Sequence, residues 1–239
     1  MGVRDQGRPW LALVVCLIVA ALVMAGCGQS NPSEKQLTAA EIVQRSADEM
    51  AKLTAFHFKL TVDNGVMPLV PGMSATSIEG DAAAPDRLQL VAKARFGNTP
   101  VELQLRTIGP KQYLTSPLTR QWQDVSGSLV TPVLLAPDRG VGATIRKIER
   151  PELIGKETLD GVESYHLKGA VPAAALADLI GGNPGVNPVA VELWIGTGDF
   201  LLRKVKMTGA ITSDEAAQLE RTLAVSDFNK SVVIEPPAL

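Results

Sequence analysis

The side chains that most often carry out chemistry are few in this sequence. It has two cysteines, Cys16 and Cys27, and two histidines, His57 and His166. Neither histidine has a second histidine at a metal-ligand spacing, no serine lies in a Gly-x-Ser-x-Gly elbow, and no glycine-rich phosphate loop occurs. We therefore predict no catalytic residue, no metal site and no cofactor, and we expect that the protein is not an enzyme. A hydrolase would have to be built from carboxylates alone.

Cys27 lies at the end of an apolar run that begins at Trp10, behind Arg4 and Arg8. A basic head, an apolar stretch and small residues before a cleavage point are typical of a secretory signal. Residues 22–27, Leu-Val-Met-Ala-Gly-Cys, resemble the lipobox of bacterial lipoproteins, with Met24 where leucine is commonest. This resemblance predicts that residues 1–26 are a signal peptide and that Cys27 becomes the lipidated first residue.

The alternative is an uncleaved transmembrane anchor, because the uncharged run is long enough to span a bilayer at roughly 20 apolar residues. Both hypotheses place the rest of the chain on the extracytoplasmic side of the cell membrane, since the arginines precede the run. Without residues 1–26 the chain has 21 basic and 24 acidic residues and a net charge of −3. Nucleic acid is therefore not an expected partner.

The polar residues 27–37 are predicted to be a flexible tether, and residues 38–239 a single domain. Thr38 and Glu41 form a capping-box pattern, which predicts a helix that continues to about Leu53. From Phe56 onward the apolar period changes to two, and turn pairs such as Asp160-Gly161 separate the alternating stretches. The pattern predicts an α+β domain in which helices pack on one face of a large antiparallel sheet.

Strand alternation and helical spacing give the sheet one apolar face. Such a face can be an ordinary core, or it can line a cavity for an acyl chain, and the residues alone leave both alternatives open. The residues predicted to line a cavity are Phe56, Phe58, Leu60, Val62, Leu88, Leu90, Val101, Leu103, Leu105, Leu134, Ile145, Leu176, Ile180, Leu193 and Ile195.

Several short stretches, taken in order, resemble one known family. They are LTAFHFKLTV at 53–62, PLVPG at 68–72, IEGD at 78–81, QWQDV at 121–125, VELWI at 191–195 and FNKSV at 228–232. This ordered set is similar to the LppX, LprA, LprF and LprG family of mycobacterial-type envelope lipoproteins. The middle segment 126–148 departs from the family because it carries Pro132 and Pro137.

The resemblance implies a LolA/LolB-like fold, in which a curved antiparallel sheet forms an open half-barrel with helices on its concave face around an apolar cavity. It also implies a membrane-anchored lipoprotein that binds acyl chains of lipids or glycolipids and helps transfer them across the cell envelope, in some cases beside a membrane transporter. The alternative is a non-enzymatic envelope sensor or adaptor of the same fold that binds a protein partner.

Overall fold

The computed structural model of the protein describes Gly2 and residues 36–70, 72–129 and 133–239. Leu37–Leu239 forms one compact unit. The predicted lipidation site Cys27 lies outside the described residues. The boundaries proposed for the signal peptide and the tether therefore stay predictions.

The helices are α1 (Ala39–Met50), α2 (Val141–Ile145) and α3 (Ala173–Ile180). The predicted capping box begins α1: Thr38 Oγ1 accepts a hydrogen bond from the Glu41 backbone at 3.2 Å, and Glu41 Oε2 accepts one from the Thr38 backbone at 2.8 Å. The apolar stripe of α1 is buried, which fixes the helix on the sheet. Among the described residues of the middle segment 126–148, α2 is the only α-helix.

The remaining elements are twelve strands. They are β1 (Ala55–Asn64), β2 (Met67–Val70), β3 (Met73–Ala83), β4 (Arg87–Phe96), β5 (Thr99–Ile108), β6 (Lys111–Thr115), β7 (Trp122–Asp124), β8 (Glu149–Leu159), β9 (Val162–Val171), β10 (Val189–Gly196), β11 (Leu202–Thr208) and β12 (Glu220–Ser226).

All strands belong to one antiparallel sheet in the order β7-β6-β5-β4-β3-β1-β12-β11-β10-β9-β8, with β2 paired to the first residues of β3. Across the described strands the sheet is not closed, because β7 and β8 are its two edges. The predicted α+β fold, a large open antiparallel sheet with helices packed on one face, is therefore confirmed.

Short turns with unusual backbone angles join neighbouring strands. Asp160 and Gly161 have φ values of 50° and 81°, as a two-residue type I′ hairpin turn requires. Gly97 and Gly109, at 58° and 57°, begin the two-residue turns after β4 and β5. These turns fix the strand register and hence which side chains share a face.

The largest buried cluster, which we call the helix-covered core, lies where the three helices pack on the sheet. Ile42 and Ala47 of α1 are fully buried, and so are Leu167 and Ile195 of the sheet. The opposite face of the sheet carries most of the charged side chains of the strands and is called the outer face below.

Candidate functional site

The apolar face of the sheet is the site that the sequence predicted, and much of it packs against the helices. Each of the predicted lining residues in the helix-covered core is at most 9% exposed. These residues are Phe56, Phe58, Leu88, Ile145, Leu176, Leu193 and Ile195. In this structure they serve as core, and their contact with a ligand stays a prediction.

The apolar face continues past the helices in two smaller clusters. The Met73 cluster consists of Met73, Ala92, Ala94 and Leu103, with Leu69, Ile78, Leu90, Val101 and Leu114 packed against it. The Met67 cluster consists of Met67, Ala75 and Leu219, with Leu60, Val62, Leu69 and Ile78 packed against it. Within the described part of the chain, no helical residue belongs to either cluster.

Three half-buried side chains join these parts of the apolar face. Leu60 packs against both the helix-covered core and the Met67 cluster, and Leu90 against both the core and the Met73 cluster. Ile78 packs against all three. The apolar surface is therefore continuous from the helices to the parts of β3, β4 and β5 that the helices do not cover.

The remaining predicted lining residues have different surroundings. Leu134 is partly buried against the helix-covered core. Leu105 is half-buried and lies in register with Leu90 on β4 and Leu114 on β6. Ile180 is 42% exposed, contrary to the inward orientation predicted from helical spacing, because it is the last residue of α3.

A small pocket opens between the turn that joins β3 to β4 and the segment 133–139. Its volume is about 150 Å³, and its walls include Leu88 and Leu134 from the predicted lining set. Arg87 and Arg139 also line it, so that positive charge lies beside its apolar lining residues. Pockets that hold drug-sized ligands are usually about 300–1,000 Å³. This pocket is therefore too small for an acyl chain, which could enter it only if the segment 133–139 moved away from Leu88.

The outer face carries two larger clefts with polar walls. One of about 440 Å³ lies over β1, β3, β4 and β5 and is lined by His57, Gln104 and Trp122 among others. The other, of about 480 Å³, lies over β8 to β11. Their charged walls make them poor sites for an acyl chain.

Each histidine of the chain lies between two carboxylates on the outer face. His57 Nδ1 is 2.8 Å from Asp81 Oδ1, and its Nε2 is 3.5 Å from Glu79 Oε1. His166 Nδ1 is 2.6 Å from Glu157 Oε1, and its Nε2 is 2.9 Å from Glu192 Oε2. The sequence did not predict these clusters, because they depend on which residues lie opposite one another in neighbouring strands.

Two carboxylates of these clusters, Glu157 and Glu79, have lowered pKa values. Hydrogen bonds from the Trp194 indole and the His166 ring keep the pKa of Glu157 below its ordinary value. The hydrogen bond from the Lys59 ammonium likewise lowers the pKa of Glu79. The Trp194 ring also stacks on His166, with centroids 4.3 Å apart. These contacts tie neighbouring strands together, which is a structural role.

The described residues offer no metal chemistry, since no three of their histidine, cysteine, aspartate and glutamate side chains are placed to hold an ion. None of the helices in the described ranges is both long and apolar enough to cross a membrane.

Related proteins of known sequence include lipoproteins and lipoarabinomannan carrier proteins. The chain is 26% identical over 205 residues to the lipoarabinomannan carrier protein LprG of Mycobacterium bovis (strain BCG / Pasteur 1173P2), covering 82% of this chain and 84% of LprG. It is 23% identical over 244 residues to lipoprotein LprA of Mycobacterium tuberculosis (strain ATCC 25618 / H37Rv), covering 95% of this chain and 96% of LprA.

Two crystal structures share the fold. LprF of Mycobacterium bovis superposes with a TM-score of 0.66 at 22% identity, over 84% of this chain and 97% of LprF. LppX of Mycobacterium tuberculosis superposes with a TM-score of 0.58 at 20% identity, over 86% of this chain and 100% of LppX. The sequence model of the LppX_LprAFG lipoproteins matches residues 38–234, which is most of the chain. The protein therefore belongs to the LppX_LprAFG lipoprotein family.

Proposed function

We propose that this protein is a membrane-anchored lipoprotein that binds acyl chains of lipids or glycolipids on the apolar face of its sheet. It helps transfer them across the cell envelope, and a membrane transporter is a fitting partner for that step. The name of its relative LprG, a lipoarabinomannan carrier, supports an acylated ligand.

The observation that carries this proposal is the continuity of the apolar face beyond the helices. Leu60 and Leu90 connect the helix-covered core to strand surfaces that no helical residue covers in the described part of the chain. Burial of each acyl methylene contributes about 0.8 kcal/mol. A chain that lies along this face therefore recovers the free energy that it would lose on entering water, so it can pass from a bilayer to the protein without any covalent step.

The proposed anchor is a lipid on Cys27, with residues 28–37 setting its reach. Two acyl chains hold a protein at a membrane far more firmly than one. We expect the Cys27→Ala variant to leave the membrane fraction while it still binds lipid. Membrane fractionation with lipid analysis of both fractions tests this, and loss of lipid from a folded Cys27→Ala protein would make the anchor part of the binding site.

The test of lipid binding compares two neighbouring residues of β4. Leu90→Trp adds bulk to the junction of the apolar clusters, whereas Val91→Trp adds it to the next residue, which points to the opposite face and is 36% exposed. Native mass spectrometry of the full chain, purified from its own membrane, measures the lipid that remains bound. Thermal unfolding of both variants serves as the control for correct folding.

We expect lipid on the wild type and on Val91→Trp, and loss of lipid from Leu90→Trp. A wild-type chain that carries no lipid and takes up no fluorescent acyl chain would refute the carrier function and favour an adaptor. If Leu90→Trp retained as much lipid as Val91→Trp and the wild type, the ligand would have to bind elsewhere on the molecule.

A further inference from the structure

The two ends of the sheet differ in their exposed apolar side chains. Because the strands are antiparallel, Gly72 and the connections 65–66, 97–98, 116–121, 172–188 and 209–219 all lie at one end. We call this the apolar end. The short turns at the opposite end are 84–86, 109–110, 160–161 and 197–201.

Large hydrophobic residues with exposed side chains lie in or beside the connections of the apolar end. They are Val66 (55% exposed), Phe96 (58%), Leu118 (90%), Ile180 (42%) and Val186 (97%). The short turns of the opposite end contain no exposed large hydrophobic residue. Of the nine exposed large hydrophobic residues in the described part of the chain, five are thus at the apolar end; Val91 and Ile154 lie within strands, and Val233 and Leu239 lie in the C-terminal tail.

Basic side chains accompany two of these residues. Arg95 directly precedes Phe96 at the end of β4, and Arg120 follows Leu118 in the loop between β6 and β7. All four side chains are exposed. An apolar side chain beside a cation suits the boundary between anionic lipid headgroups and acyl chains.

We propose that the Phe96 and Leu118 side of the apolar end docks on the surface of an anionic lipid bilayer, with both side chains inserted among the lipids. A bilayer fits better than a protein partner because Phe96, the last residue of β4, and Leu118, in the loop between β6 and β7, are separate exposed side chains rather than one contiguous patch. The Met73 cluster lies in the same part of β3, β4 and β5. Docking therefore brings the Met73 cluster, to which no helical residue of the described chain belongs, toward the membrane.

The experiment measures how deeply each end of the sheet enters a bilayer. The full chain is reconstituted in vesicles of phosphatidylcholine and phosphatidylglycerol, and flotation verifies its attachment. Phe96→Cys and Leu118→Cys each carry an environment-sensitive fluorophore, and Val233→Cys, which is 73% exposed in the tail beyond the opposite end, is the matched control. The unsubstituted chain, treated with the same reagent, gives the blank.

Lipids with a nitroxide on the upper acyl chain quench only fluorophores that enter the bilayer. We expect quenching at positions 96 and 118 to exceed that at 233 by roughly 5-fold or more, as insertion of about 5–10 Å requires. Phe96→Asp should reduce the quenching at position 118, and vesicles without phosphatidylglycerol should reduce it as well. Equal quenching at all three positions, or stronger quenching at 233, would overturn the proposal.

This result is independent of the cargo. A chain that carries no lipid on its apolar face can still dock, and a lipid-loaded chain whose tips are not quenched refutes docking alone. A surface that instead serves a protein partner gives no quenching in these protein-free vesicles and also overturns the proposal.

Discussion

Removal of the Glu215 carboxylate should be among the most damaging single changes to this fold. Arg221 of β12 donates hydrogen bonds from Nη1 and Nη2 to the two Glu215 oxygens, at 2.9 and 2.7 Å. Nη2 also donates to the Gly209 carbonyl at 2.9 Å. The side chains of Arg221 and Glu215 are only 1% and 3% exposed. This pair fastens the connection 209–219 to the sheet.

Glu215→Ala leaves a buried guanidinium that cannot lose its proton, and it also removes the acceptor of the Ile211 N–H at 2.6 Å. Loss of one partner from a buried ion pair costs about 3–5 kcal/mol of unfolding free energy. For a domain of this size the midpoint of thermal unfolding changes by roughly 2–4 °C per kcal/mol, so we expect a decrease of roughly 6–20 °C.

The matched control is Glu220→Ala, which breaks the neighbouring pair with Lys206. That pair is 3.6 Å long, and its side chains are 33% and 41% exposed, so its loss should cost no more than about 1 kcal/mol. Urea unfolding followed by circular dichroism gives both free energies, and an unchanged slope verifies that the unfolded states are comparable. A Glu215→Ala cost within error of the Glu220→Ala cost would refute this reasoning.

Three further predictions concern the sheet and α1. Gly80→Ala should cost about 1–3 kcal/mol in urea unfolding, because its Cβ would meet a β4 carbonyl oxygen, whereas Gly155→Ala, which faces open space, should cost less than 1 kcal/mol. Thr38→Ala should cost about 1 kcal/mol by the same assay, since it removes the cap of α1. The Trp194 indole helps to hold the pKa of Glu157 below 4.5, so the stabilisation by this carboxylate is complete above that pH and is lost as the pH falls through the lowered pKa. Urea unfolding should therefore show Glu157→Gln to be less stable than the wild type above pH 4.5, and this difference should disappear as the pH falls through the lowered pKa.

The local signals in the sequence predicted the elements well. The capping box at Thr38 and the hairpin turn at Asp160-Gly161 involve residues close in the chain, so their chemistry is readable without the fold. The alternation of apolar and polar residues along a strand is also a local signal, and it correctly assigned Phe56 and Leu193 to the apolar face. The 42% exposure of Ile180 was not predictable in this way, because helical spacing does not indicate where the helix ends relative to the sheet.

The features that sequence analysis could not predict depend on contacts between distant residues. The clusters around His57 and His166 arise from strand register, which pairs His57 with Asp81 and His166 with Trp194. The division of the apolar face into three clusters depends on where the helices dock. The same is true of the apolar end, because residues such as Val66 and Phe96 come together only when the strand order is known.

The most direct test of the central proposal maps where an acyl chain lies on the protein. A phospholipid with a photoreactive diazirine in its acyl chain is loaded onto the full chain and irradiated, and mass spectrometry identifies the modified residues. Apolar-face residues such as Leu60 and Leu90 should be labelled, and unlabelled lipid should compete. Labelling confined to exposed residues such as Val91 and Ile154, or labelling that unlabelled lipid does not reduce, would contradict the proposed function.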